Sequence, residues 1–147
     1  MEKSLCNLEL IVAKDIKVGM YIIHESKPCK SLNVTTSKTG KHGHIKVNIN
    51  CRDLITQKQV NIVLEGHKSL YKFTPYIRIF TLCYVEDNNI ECIDDNGNIF
   101  NFPLQNDFEW NSENEYEVHI FNIPIEIEQD VFEDIEIINT IKQNIKK

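Results

Sequence analysis

Apolar and polar residues alternate along most of this chain. Leu32 and Val34 share one face of a segment. Ile45, Val47 and Ile49 share one face of the next, with Lys46, Asn48 and Asn50 opposite. A period of two predicts strands over 20–24, 30–36, 45–50 and 59–64 in the first half, and over 77–85, 90–93, 99–102 and 117–123 in the second. Turn residues punctuate them: Gly19, Ser26-Lys27-Pro28, Arg52-Asp53 with Thr56-Gln57, Asn88-Asn89 and Asp95-Asn96-Gly97. The last segment breaks the rhythm. Val131, Ile135, Ile138, Ile141 and Ile145 recur at intervals of three or four, which predicts a C-terminal helix. Asp130 and Glu133 form its capping box, and Lys142, Lys146 and Lys147 lie near its end.

Short strands at this density predict an all-β protein of two small barrels. A charge split supports a boundary near Phe73-Thr74-Pro75-Tyr76. The net charge of −6 divides into 12 Lys+Arg against 6 Asp+Glu over residues 1–75, and 4 against 16 over 76–147. The first half is therefore fit to meet RNA phosphates and the second to be repelled by them. Five cysteines (Cys6, Cys29, Cys51, Cys83 and Cys92) are odd in number and lack a Cys-x-x-Cys pair, which predicts free thiols in a reducing cytoplasm. The N-terminal apolar stretch, Leu8 to Ala13, is short and interrupted by Glu9, so no signal peptide is expected. No apolar run approaches the roughly 18 residues of a membrane span, so no membrane partner is expected either.

The stretch with most chemistry is Thr36-Ser37-Lys38-Thr39-Gly40-Lys41-His42-Gly43-His44, between two predicted strands. Gly40 and Gly43 allow backbone conformations that a β-carbon obstructs, which suits a hairpin tip built to present Lys41. A phosphate-binding loop would need Gly at 35 and Ser or Thr at 42, where Thr35 and His42 stand, and a helix afterwards. Gly40-Lys41-His42-Gly43 also has the form of the Gly-x-x-Gly loop of KH domains, but that loop joins helices. His42 and His44, with Cys29 and His24, would be a zinc set only if the fold gathered them. Nothing in the spacing requires that, and no metal is expected. Cys29 as a nucleophile would need an activating base and an orienting group, and a buried thiol is the simpler reading.

From Ser37 to Lys46, with Pro28-Cys29-Lys30 upstream, the sequence closely resembles the modification loop of eukaryotic and archaeal translation initiation factor 5A. A weaker resemblance runs from Ala13 onward through Asp53, Thr56, His67 and Pro75. In that family the lysine between Gly and His-Gly-His becomes hypusine, using the aminobutyl group of spermidine. By motif position that lysine is Lys41. The resemblance implies an SH3-like translation-protein barrel over residues 1–74 and an OB-fold over 75–147 carrying the C-terminal helix. It implies a noncatalytic ribosome-binding factor that positions peptidyl-tRNA and promotes elongation at slow sequences and termination. The partners it implies are the ribosome, peptidyl-tRNA, deoxyhypusine synthase and deoxyhypusine monooxygenase. No cofactor is expected beyond the modification itself. Lys38, His42, His44 and Lys46 are supporting candidates for RNA contact, with Gly40 and Gly43 shaping the loop. Gln57 departs from the family, which usually has glycine in that turn, and altered local geometry is expected there. The alternatives are a general two-barrel RNA-binding module without modification, and a small enzyme using Cys29, His24 or the loop histidines.

Overall fold

The computed structural model describes residues 4–38, 44–104 and 107–144. Among the described residues eleven strands follow one another: β1 (Glu9–Val12), β2 (Tyr21–His24), β3 (Lys27–Lys38), β4 (Ile45–Asp53), β5 (Gln59–Glu65), β6 (Ser69–Phe73), β7 (Tyr76–Glu86), β8 (Asn89–Ile93), β9 (Ile99–Pro103), β10 (Tyr116–Glu128) and β11 (Val131–Gln143). One 3-10 turn, Ala13–Asp15, follows β1. The all-β class expected from the alternation is the class observed. The strands form two sheets, ordered β1-β6-β2-β3-β4-β5 and β11-β10-β7-β8-β9.

Two compact units result. One comprises residues 1–75 together with 123–135, and the other comprises 76–122 with 136–147. Residues 123–135, which the sequence pattern groups with the second half, join the first unit through specific contacts. The Glu126 N–H donates to the Ser26 carbonyl at 3.2 Å, and the Tyr71 hydroxyl donates to Asp130 Oδ1 at 3.0 Å. Tyr71 also meets Phe132 edge to face, and the Ser4 hydroxyl and Leu5 N–H both donate to the Asp134 carboxylate.

In the first unit Ala13, Ile16, Ile22, Cys29, Val47, Ile49, Cys51, Ile62 and Leu70 form one buried cluster. The inward positions of β4, Val47 and Ile49, face Thr36 and Val34 on one side and Leu64 and Ile62 on the other. This is how a period of two becomes a core. A bulge between Ser31 and Asn33 shifts the parity of β3, so Ser31 and Val34 both point inward although they are three residues apart. The second unit has its own cluster, with Phe80, Ile90, Cys92, Val118 and Ile120 buried. Glu25-Ser26 and Asp87-Asn88, each with two positive φ values, close the β2–β3 and β7–β8 hairpins as two-residue turns.

The predicted C-terminal helix is strand β11, and this corrects the sequence reading. Asp130 does not cap a helix. It sits at φ 61 in the turn between β10 and β11, its N–H donating to Glu126 Oε2. The three-residue recurrence survives in burial, since Glu133, Glu136, Asn139 and Lys142 are exposed, but the backbone is extended. Val131, Ile135, Ile137, Ile138, Thr140 and Ile141 are β-branched and prefer a pleated surface, and pairing with β10 outweighs the local helical spacing.

Candidate functional site

Strands β3 and β4 pair from Cys29↔Asp53 to Lys38↔Ile45, interrupted only by the bulge between Ser31 and Asn33, with Ser37↔Lys46 and Thr36↔Val47 the steps before the last. The strand pairing therefore reaches Lys38 and Ile45. Gly40, Lys41, His42 and Gly43 lie outside the described residues. Lys38, His44 and Lys46 are described, and all three are exposed. Successive residues of a strand face opposite ways, so Lys38, level with Ile45, and Lys46, level with Ser37, stand on opposite faces of the hairpin. The two lysines do not form one patch.

The structure adds a neighbour that the alternation did not predict. Gly66, in the turn after β5, is buried, and its N–H donates to the Ile45 carbonyl at 2.7 Å. Its own carbonyl accepts from Lys14 N–H at 2.9 Å, while the Lys68 carbonyl accepts from Ala13 N–H at 2.9 Å. The turn is thus pinned between the 3-10 segment and the first residue of β4. Only a residue without a side chain fits easily. A β-carbon on Gly66 would lie 3.1 Å from the Ile45 oxygen and 3.2 Å from the Ile45 β-carbon. The same turn places the His67 ring 6.1 Å from that of His44 and 3.4 Å from a Glu65 oxygen. His67 was legible through the family resemblance, whereas Gly66 is marked in the sequence only as a turn residue.

The other end of the hairpin rests on Asp53. It is 4% exposed, and its Oδ1 accepts from Ile55 N–H at 2.8 Å and Thr56 N–H at 3.1 Å. Gln57 adopts φ 65, a left-handed conformation, and its side-chain amide donates to the Leu54 carbonyl at 2.7 Å. The turn keeps a backbone suited to glycine and holds it with a glutamine.

The enzyme reading built on Cys29 finds no support in its surroundings. Burial, reinforced by Cys51 and Asp53 and opposed by Lys27, pushes the Cys29 thiol up to about 12, so it stays protonated and is a poor nucleophile. His24 lies 3.8 Å from the Glu25 carboxylate, and burial lowers its pKa, opposed by Glu25 and assisted by Lys68. Among the described residues no three His, Cys, Asp or Glu side chains converge to hold a metal. Nor is any helix among them long and apolar enough to cross a membrane.

Residues 9–66, the segment that contains this hairpin and ends at Gly66, match the family model described as "Translation initiation factor 5A-like, N-terminal". Eukaryotic translation initiation factor 5A-3 of Arabidopsis thaliana is 34% identical over 86 residues, which is 58% of this chain and 54% of that protein. Eukaryotic translation initiation factor 5A of Dictyostelium discoideum is 30% identical over 79 residues, 54% of this chain and 50% of that one. The chain spans about half the length of the curated relatives it matches. Similarity of fold extends further. A translation initiation factor eIF-5A family protein from Naegleria fowleri superposes with a TM-score of 0.69 at 24% identity, covering 92% of this chain and 98% of the other. The factor 5A structure from Methanococcus jannaschii gives 0.62 at 17% identity, covering 83% and 92%. Residues 9–66 are thus similar to the N-terminal domain of translation initiation factor 5A, and the chain shares the fold of the two structures over most of its length.

Proposed function

We propose that this chain is a ribosome-binding translation factor of the 5A type, acting through a hypusine formed on Lys41. The observation that carries the reading is the ungapped stretch Ser37 to Lys46, which runs in sequence from the end of β3 to the start of β4 within the matched residues 9–66. The chemistry suits that lysine. Its amine must be neutral to attack the imine carbon that bears the aminobutyl group of spermidine. The finished arm is long, carries cationic amines, and can reach into a phosphate-rich cleft. There it holds the flexible acceptor end of peptidyl-tRNA in a reactive geometry, so that the gain is one of orientation and the ribosome performs the bond-forming step. The protein itself is noncatalytic and works in the cytoplasm. Deoxyhypusine synthase and deoxyhypusine monooxygenase are its modifying enzymes.

The test is replacement of Lys41 by Arg in a cell that depends on this chain. Arginine keeps the charge but cannot accept the aminobutyl group. Loss of growth, with the variant accumulating to normal levels, is expected. Normal growth would overturn the assignment and favour an RNA-binding module that needs no modification.

A further inference from the structure

The side of β3–β4–β5 turned away from the core is unusual for a small β domain. Along β4 the outward residues are Lys46, Asn48, Asn50 and Arg52, alternating with the buried Val47, Ile49 and Cys51. The pairing register extends each into a row across the sheet. Asn50 stands level with Asn33 on one side and Asn61 on the other, a row of three amides. Asn48 lies between Thr35 and Val63, Lys46 between Ser37 and Glu65, and Arg52 between Lys30 and Gln59. The middle of the face is thus uncharged, with Asn33 and Asn61 exposed beside Val63, Asn48 and Asn50 half-buried and the Asn50 Oδ1 enclosed, and both ends carry cations. Lys30 is further held over the Tyr21 ring at 5.7 Å. Glu65 is the single carboxylate among these positions.

We propose that this outer face docks on the minor groove of A-form RNA. This rests on the preceding reading only in taking RNA as the class of partner. Six residues of strand separate Lys46 from Arg52, about 20 Å, and the three strands span about 10 Å across. The minor groove of an RNA helix is wide and shallow. It displays 2′-hydroxyls, which donate and accept, between two phosphate backbones. Amides also donate and accept, so a row of them matches hydroxyls better than it matches phosphates. Lys46 at one end and Arg52 with Lys30 at the other are placed for the flanking phosphates. An acidic protein would instead call for cations in the middle of the face, where none stands.

The experiment uses the full chain with two duplexes of one sequence, one RNA and one DNA, at several salt concentrations. Wild type should bind the RNA at least about fivefold more tightly, because only RNA offers the 2′-hydroxyl. The pair Asn48→Ala, half-buried, with Asn61→Ala, exposed, should bring that ratio towards about one while leaving the salt dependence unchanged. Arg52→Ala and Lys46→Ala should each lower the salt slope by about 1 and keep the ratio. Thermal unfolding confirms that each variant is folded. Equal affinity of wild type for the two duplexes, or an unchanged ratio in the asparagine pair, would overturn the proposal. So would displacement of the RNA by polyglutamate as readily as by unlabelled RNA. Loss of RNA binding confined to Lys41→Ala would place RNA on the Lys41 segment and overturn this face. An unmodified Lys41 would sink the hypusine reading without moving any of these values, so the two failures are distinguishable.

Discussion

Gly66→Ala is the smallest change that probes how the base of the Lys41 segment is held. The new β-carbon would meet the Ile45 oxygen at 3.1 Å and the Ile45 β-carbon at 3.2 Å, and its γ2 methyl at 3.5 Å. The first two are backbone or backbone-attached atoms, so relief requires β4 and the turn to separate by a few tenths of an ångström. That separation also lengthens the 2.7 Å bond from Gly66 N–H to the Ile45 carbonyl. Overpacking of this kind costs about 1–3 kcal/mol. Restricting the unfolded chain returns about 0.4–1 kcal/mol. The net expectation is a loss of about 1–2 kcal/mol, or a melting temperature lower by about 5–15 °C for a unit of this size. Because Ile45 is the first paired residue after the segment holding Lys41, its displacement should also spoil presentation of the lysine. Transfer of label from spermidine by purified deoxyhypusine synthase, run well below the melting temperature, should slow by about tenfold. Unchanged stability together with an unchanged transfer rate would refute the reasoning. It would mean that Ile45 yields freely and does not position the loop.

Two further predictions concern pH and backbone strain. Burial raises the thiols of Cys29 to about 12 and of Cys51 and Cys92 to about 11, from an ordinary 9.0. The unfolded chain releases these protons first, so their stabilising contribution is complete below about pH 9 and is lost as pH rises towards 11–12. Denaturant midpoints should be level through neutral pH and fall above pH 9. A flat profile to pH 10.5 would contradict the burial. Gln57→Val should cost about 1–2 kcal/mol in chemical denaturation, because a β-branched residue resists φ 65 and the amide bond to the Leu54 carbonyl is lost. A neutral result would show that the turn relaxes out of the left-handed region.

The hairpin was readable because each strand there has one buried face. Val47 and Ile49 announce their inward direction, and Val34 and Ile62 answer them across the register. The bulge near Leu32 was not readable, since a parity shift leaves no mark when both flanking residues tolerate either face. The C-terminal segment misled for a related reason. Isoleucines three and four apart satisfy a helical template, yet β-branching and the turn at Gln129-Asp130 favour a strand paired to β10. That preference is decided by a partner distant in sequence. Gly66 was hidden because its importance lies in a close approach to Ile45, 21 positions earlier in the chain. The charge split, by contrast, needed no structure. It already set the basic half, where the matched domain lies, apart from the acidic one.

The most direct test of the central claim is the mass of the peptide containing Lys41, isolated from cells that make this protein naturally. The account predicts that Lys41 carries the added mass of an aminobutyl group and one hydroxyl oxygen. It also predicts that fragmentation places the whole increment on that residue, with Lys38 and Lys46 unmodified. A peptide bearing an unmodified Lys41 in every molecule, from cells in which the modifying enzymes are active, would contradict it.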